Sequence, residues 1–329
     1  MKKKISPFWW PILLFFSPII LPVLLRKNLK FQKNRIRASS MNKERIESAK
    51  PIPLPEVDHL ELMVLVEEKA ENGYRVEPGI SYLLQTDSGA MLYDVGFGPE
   101  RGTLEYNASK KGITFQNIDA LTISHLHPDH MGGLQACRKK QVRIPDSIGN
   151  PAGKPCYLPA IAKAERFTPT IVTEPRVLTG GIASMGPLAR SLFFFGYTEE
   201  QALLVNIKNK GLVVITGCGH PTLPVILEMA ARLSSEPIYA IIGGLHFPIT
   251  QSRGEIMGIQ PQMILGTGLQ PWKSLGEEDV IETIDTINHV APRFVYLSAH
   301  DSCDHALHMF QEKLTAKTEI LLAGASYRL

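Results

Sequence analysis

From Ser124 to Gly133 the chain reads Ser-His-Leu-His-Pro-Asp-His-Met-Gly-Gly, which puts His125, His127, His130 and the Asp129 carboxylate within six positions. Neutral imidazole nitrogens and carboxylate oxygens are the ligands that suit Zn²⁺ or a neighbouring first-row metal such as Mn or Fe. Leu126 alternates with the histidines, so an extended backbone points His125 and His127 the same way. Pro128 stiffens the loop and lowers the entropy lost when ligands are fixed. A metal held here would acidify bound water from about 15.7 to about 7 and polarise an electrophile. That is the chemistry of hydrolysis.

The elements that must position these groups are short apolar strands. Residues 118–124 read as a buried strand that delivers the cluster to its C-terminal end, and Gly132-Gly133 turns the chain away into a helix. Three further histidines also follow apolar strands: His220 after 211–216, His246 after 238–242 and His300 after 294–297. Asp94 ends a strand of residues 90–95. Helices are expected over 221–233 and 277–290, and a strand over 203–207. The Gly- and Pro-containing stretch 137–195, with little periodicity, reads as loops covering the site. Phe193, Phe194, Phe195 and Tyr197 line the pocket or pack the core, and Arg253 and Trp272 are candidate substrate contacts. His59, His289, His305 and His308 have no strand-end context and read as surface or helix residues.

The HxHxDH pattern after an apolar strand resembles the hallmark of the metallo-β-lactamase superfamily. The strands 79–84 and 90–96, the latter ending in Asp94-Val95-Gly96, are similar to the pair that opens that fold. Gly217-Cys218-Gly219-His220, Gly243-Gly244-Leu245-His246, and a last strand ending in His300 resemble the branch of dihydropterin ribofuranosylaminobenzene phosphate synthase. The stretches 177–180 and 200–203 agree with it. This resemblance implies an α/β fold, a four-layer αββα sandwich. It implies one or two zinc ions, His125 and His127 holding the first with another histidine (His220 preferred). Asp129 and His130 would begin the second, with His246 and His300 competing to complete it. Asp129 would orient water or accept its proton, and Asp94 would orient a ligand histidine. Where many members carry a bridging aspartate this chain has Cys218, open as a soft ligand, a buried structural residue or a bystander.

Composition bounds the remainder. The 329 residues are 44% hydrophobic and 20% charged, ordinary for a globular chain. The net charge of +3 divides unevenly, because residues 1–50 hold twelve Lys and Arg against Glu44 and Glu47. A mildly acidic domain behind a basic leader argues against nucleic acid as its substrate. Residues 5–25 lack charge and, as a helix, would extend about 30 Å, one hydrocarbon thickness. The expected organisation is a basic-flanked membrane anchor at 1–37, a Pro- and charge-rich linker at 38–58 and a catalytic domain at 59–329. A cleaved signal peptide would want a shorter apolar run ending in small residues, and Met41 is an alternative start. The basic flank from Arg26 to Arg37 predicts a single-pass protein with a cytoplasmic domain. Four cysteines without CxxC spacing fit a reducing compartment.

The expected function is a membrane-anchored hydrolase using a metal-bound hydroxide on a small ester, lactone, thioester or phosphodiester. The alternatives are a transferase resembling the branch's namesake and a non-catalytic, membrane-tethered metal-binding scaffold.

Overall fold

A computed structural model describes residues 4–329. Its centre is two β-sheets face to face. One has seven strands, in the order Ser326–Arg328, Leu60–Val66, Ser81–Thr86, Gly89–Tyr93, Ala120–Thr122, Pro155–Leu158 and Thr168–Ile171. The other has eight. Its path runs Arg176–Val177, Ala183–Leu192, Gly196–Ile207, Gly211–Thr216, Ile238–Gly243, Phe294–Leu297 and Lys317–Ile320, with Glu56–Val57 paired to Gly196–Ile207.

Alternation along the strands separates the layers. Tyr82, Leu84, Met91 and Tyr93 face Leu203, Val205, Val213 and Ile215 in the inter-sheet core. Their neighbours Leu83, Leu92 and Leu121 pack outward with Leu104 and Ala108 of helix Thr103–Lys110. On the other side Leu204, Leu212, Val214 and Val295 pack against helices Leu223–Leu233, Glu277–Val290 and Asp304–Lys313. The result is the four-layer αββα sandwich. Gly211–Thr216, Ile238–Gly243 and Phe294–Leu297 are mutually parallel, so their C-terminal ends, and the segments that follow, share one edge.

Two expectations are corrected. The stretch 137–195 is not all covering loop. Ala183–Leu192 is a ten-residue strand paired antiparallel with Gly196–Ile207. It escapes a periodicity reading because Gly186 and Pro187 sit inside it, where the register shifts and Gly186 takes φ 76°. The expected linker is likewise helical in its first half. Ser17–Ser48 is one helix, and only from Ala49 does the chain run extended through Pro51, Pro53 and Pro55.

That helix is docked. Phe31, Ala38, Asn42 and Ile46 form one buried stripe along it. Asn42 Nδ2 donates to Ala189 O at 2.9 Å, and Ala189 N donates to Asn42 Oδ1 at 2.7 Å, so a side-chain amide completes the free edge of strand Ala183–Leu192. Arg45 pairs with Glu199 at 2.6 Å and donates to Pro187 O. Among the described residues no single helix is long and apolar enough to cross a membrane. Pro7–Phe15 and Ser17–Ser48 pass that test only together, and they are bent 93° to one another.

Candidate metal centre

The histidine-rich segment leaves strand Ala120–Thr122 and enters the short helix Pro128–Met131, with His127 as its N-cap and Pro128 in the first turn. Gly132 and Gly133, at φ 105° and 106°, end it. This turn folds His130 back toward His125, with ring centroids 4.1 Å apart.

Side-chain donors from four strand ends then meet. His125, His127 and His220 offer ligand atoms within 4.8 Å of one another, and so do Asp129, His130, Cys218 and His300. A third grouping, Cys218, His220 and His246, overlaps the first two. Thus His300 falls with Asp129 and His130, whereas His246 falls on the His220 side. The Cys218 thiol stands between His130 Nε2 at 3.1 Å and His300 Nε2 at 3.2 Å. His305 and His308 lie outside the cluster, paired with Glu277 and Glu312.

Three of the histidines are oriented by one device. Asp94, buried, accepts from Ser124 N, Ser124 Oγ and His130 Nδ1 at 2.6, 2.6 and 2.7 Å. Ser124 Oγ in turn accepts from His125 Nδ1 at 2.9 Å. With Nδ1 protonated on both rings, as this network assigns, Nε2 is the free lone pair on each. His300 repeats the pattern. Its Nδ1 donates to Ser298 Oγ at 2.6 Å, and Ser298 donates to Glu67 Oε2 at 2.5 Å. Tyr82 and the amides of Glu68 and Ala299 also donate to Glu67.

Glu200 shapes the opposite wall, its carboxylate accepting from the amides of Gly217, Gly219 and His220 at 3.1, 2.8 and 2.8 Å. It therefore clamps the turn that presents Cys218 and His220. That turn needs Gly219 at φ 70°, and it needs Gly217, where a Cβ would collide with Ser124 Oγ.

The electrostatics favour neutral rings at His125, His127, His220 and His300, whereas at His130 burial is outweighed by Cys218, Asp129 and Asp94, which hold that ring well above the ordinary imidazole value. Burial, reinforced by neighbouring histidines, pushes His125 and His220 well below the ordinary imidazole value. Burial also takes His127 and His300 down to about 4, against the charges of Asp129 and Asp301. Burial pushes the Cys218 thiol up and raises Glu67 and Glu200 to about 7. Asp129 runs the other way: burial pushes it up, but His130 outweighs that and holds it below the usual carboxylate range. Buried His125 Nε2, His127 Nε2, His220 Nδ1, both nitrogens of His246, and Asp301 Oδ2 have no hydrogen-bond partner among the described residues. Unpartnered buried polar atoms are costly, and beside ligand atoms gathered within 4.8 Å they fit a cation as the missing partner.

Sequence reasoning missed Glu67, Glu200 and Asp301. Asp301 lies beside His246, its Oδ2 3.7 Å from Nδ1, and 3.9 Å from His300 Nε2. Glu67 directly follows an apolar strand and Glu200 lies inside one, and that incongruity was the available signal; Asp301 directly follows His300.

The cluster opens into a cavity of about 300 Å³ lined by His127, Asp129, His220, His246 and Asp301, with Phe195, Ile256 and Leu265 on its apolar side. Arg101 and Arg253 also line it, Arg253 being tied to Asp304 at 2.9 Å. Phe195 lies against the His127 ring at 4.6 Å, while Phe193 is buried, tilted against Phe31 and edge-on to Trp272.

A model of the metallo-beta-lactamase superfamily matches residues 74–142, the stretch that carries Asp94 and the HxHxDH segment. The chain is similar to the 7,8-dihydropterin-6-methyl-4-(beta-D-ribofuranosyl)-aminobenzene-5'-phosphate synthase of Methanocaldococcus jannaschii. They are 22% identical over 245 residues, 58% of this chain and 78% of that protein. A segment of 53 residues is 42% identical to the anti-Pycsar protein Apyc1 of Paenibacillus harenae, covering 16% of this chain and 20% of that one. Among solved structures, Tm1679, named a metal-dependent hydrolase of the beta-lactamase superfamily, has a TM-score of 0.56. It is 22% identical, with 82% of this chain and 98% of that one covered. The segment 74–142 matches the metallo-beta-lactamase superfamily, and the chain shares its fold with Tm1679.

Proposed function

We propose that the protein is a metal-dependent hydrolase of a small ester, lactone, thioester or phosphodiester. In this reading His125, His127 and His220 hold one metal, and Asp129, His130, Cys218 and His300 hold a second. Zinc suits the His/Cys set best, and Mn or Fe suits the carboxylate side. His246 and Asp301 face the substrate or complete the ligand shell. The observation that carries the reading is the gathering of ligand atoms from His125, His127 and His220, and from Asp129, His130, Cys218 and His300, each set within 4.8 Å.

When bound, the metal would supply an acidified water and a Lewis acid. The protein's own part is otherwise. Asp94–Ser124 and Glu67–Ser298 hold His125, His130 and His300 in the tautomer that ligates. Asp129, kept ionised beside His130, is the carboxylate that can take a proton from an attacking water. Phe195, Ile256 and Leu265 keep bulk water from the cavity's apolar side. Attachment to a membrane through residues 5–25, with the domain at 59–329 on the cytoplasmic side, belongs to the same reading.

Elemental mass spectrometry on the purified chain tests it, beside His127→Ala and assays on 4-nitrophenyl butyrate and bis(4-nitrophenyl) phosphate. About two equivalents of metal are expected for this donor set, with metal and turnover falling together in the variant. Turnover that survives loss of metal would refute the reading. A second reading, group transfer, is favoured by the similarity to the Methanocaldococcus jannaschii synthase. It predicts metal binding without hydrolysis of either ester.

A further inference from the structure

The N-terminal apolar segment has an exposed surface and a fixed position relative to the metal cavity. Phe8, Leu14, Phe15, Ile19 and Leu25 are exposed between 65 and 79%. Nothing in the sandwich covers them, and an apolar patch of this extent marks a contact with something outside the molecule. The segment does not continue straight. It breaks at Phe16, and the two helices lie 93° apart.

The segment's first residues are strapped to the loop that forms one lip of the cavity. Ser6 N donates to Gly258 O at 2.8 Å, Gln260 N donates to Lys4 O at 2.9 Å, and Ile5 bridges Ile259. Trp9 Nε1 donates to Met257 O at 2.9 Å, and Lys4 Nζ donates to the Pro271 and Lys273 carbonyls. Ile256 of this same loop lines the metal cavity. On the second side Phe31 of the long helix packs against Phe193, 5.6 Å between centroids, and Phe193 meets Trp272 edge-on at 5.5 Å. Two residues on, Phe195 rests on His127. The apolar surface therefore continues from the helix, through the exposed Met257 and Trp272, to the cavity mouth. Directly after the apolar stretch come Arg26, Lys27, Lys30, Lys33, Arg35 and Arg37.

We propose that this bent element lies in the plane of an anionic lipid surface, not across it, and presents the cavity mouth to that surface. The substrate would then be an acyl-bearing amphiphile, its tail entering past Ile256, Trp272 and Phe195. The broken helix matches an in-plane element, the apolar face matches acyl chains, and the basic run matches anionic headgroups. For an acyl ester, water cleaves the single bond between the acyl carbon and the alkoxy oxygen. The acyl carbon gains the hydroxyl oxygen, the departing alcohol takes a proton, and no oxidant or reductant is needed. The substrate class rests on the hydrolase reading, whereas lipid docking does not, so the two are tested separately.

The experiment is co-sedimentation of the full chain with vesicles of phosphatidylglycerol and phosphatidylcholine, and with phosphatidylcholine alone. Wild type and the metal-site variant His127→Ala are expected to pellet alike with the anionic vesicles. Leu14→Glu/Phe15→Glu should bind about tenfold more weakly or less, while retaining wild-type turnover of soluble 4-nitrophenyl butyrate. In Trp9→Phe/Trp10→Phe the remaining Trp272 should be quenched by brominated phosphatidylglycerol. Unchanged pelleting of the double glutamate variant would overturn the docking surface. So would a wild-type dimer that this variant converts to monomer without vesicle binding, since a second copy would then cover the patch. Pelleting with an unquenched Trp272 would overturn the orientation of the mouth. Absence of turnover in every protein, with pelleting intact, would remove the hydrolase reading and leave the docking surface standing.

Discussion

Asp94 touches no ligand atom of the proposed metals, yet its replacement should decide whether the second metal binds. In Asp94→Asn the amide has one acceptor where the carboxylate had two. With its oxygen toward Ser124 N, now 2.6 Å from Oδ1, its nitrogen faces His130 Nδ1 and Ser124 Oγ. His130 must then accept at Nδ1 and carry its proton on Nε2, the nitrogen turned toward Asp129 and Cys218. Ser124 is freed to donate to His125 Nδ1, which imposes the same wrong tautomer there. The opposite amide orientation puts two N–H donors head to head. Restoring the ligating tautomers costs roughly 10- to 100-fold in metal affinity, or about 1.4 to 2.8 kcal/mol. Asp94→Ala is a different perturbation. It strands three buried donors and should cost about 3 to 9 kcal/mol of stability, a large part of the roughly 5–15 kcal/mol that holds a domain together. The assay is metal titration against a chromophoric chelator, with thermal melts of the metal-free proteins alongside. A folded Asp94→Asn protein that binds both metals with wild-type affinity would refute the argument.

The buried Glu67 makes a pH prediction for the metal-free protein. Burial lifts it to about 7 from 4.5, although the hydrogen bonds it accepts pull the other way, so the metal-free fold holds a proton there more tightly than the unfolded chain does. The stability it contributes is full below pH 4.5 and is lost as pH rises through about 7. Melting temperature should therefore fall between pH 5 and 8, and Glu67→Gln should flatten that slope in thermal scans. Cys218→Ala should lower metal content toward one equivalent without unfolding the chain, as read by elemental mass spectrometry and circular dichroism; undiminished content would exclude the thiol as a ligand. Asn42→Ala removes both bonds to the Ala189 peptide at a buried strand edge. It should cost about 1 to 3 kcal/mol in denaturant unfolding, and faster amide exchange should be confined to Ser17–Ser48 and Ala183–Leu192.

The part of the site that could be read from sequence is the part that is local. His125, His127, Asp129 and His130 sit within one turn and one strand end. Their common direction follows from backbone period and the Pro128 and Gly132 turn chemistry. His220, His246 and His300 were legible for a related reason. An apolar strand buried on both faces exposes polar groups only past its end, and parallel strands put those ends on one edge. The helices Leu223–Leu233 and Glu277–Val290 were also written in local periodicity.

The tertiary structure decided what depends on partners far along the chain. Glu67 reaches Ser298, Glu200 reaches Gly219, and His300 joins Asp129 while His246 joins His220. No spacing rule encodes such pairings, because they follow from how two sheets stack. Strand Ala183–Leu192 exists despite Gly186 and Pro187, because its neighbour supplies the hydrogen bonds that propensity withholds. Residues 38–48 look like a solvated, charged linker until the sheet edge appears beside them. Then Asn42 and Ile46 acquire partners and the charges become the outer face of a docked helix. Hydrophobic pattern and ligand type were therefore determined by sequence alone. Which buried carboxylate orients which histidine was settled only when the layers closed.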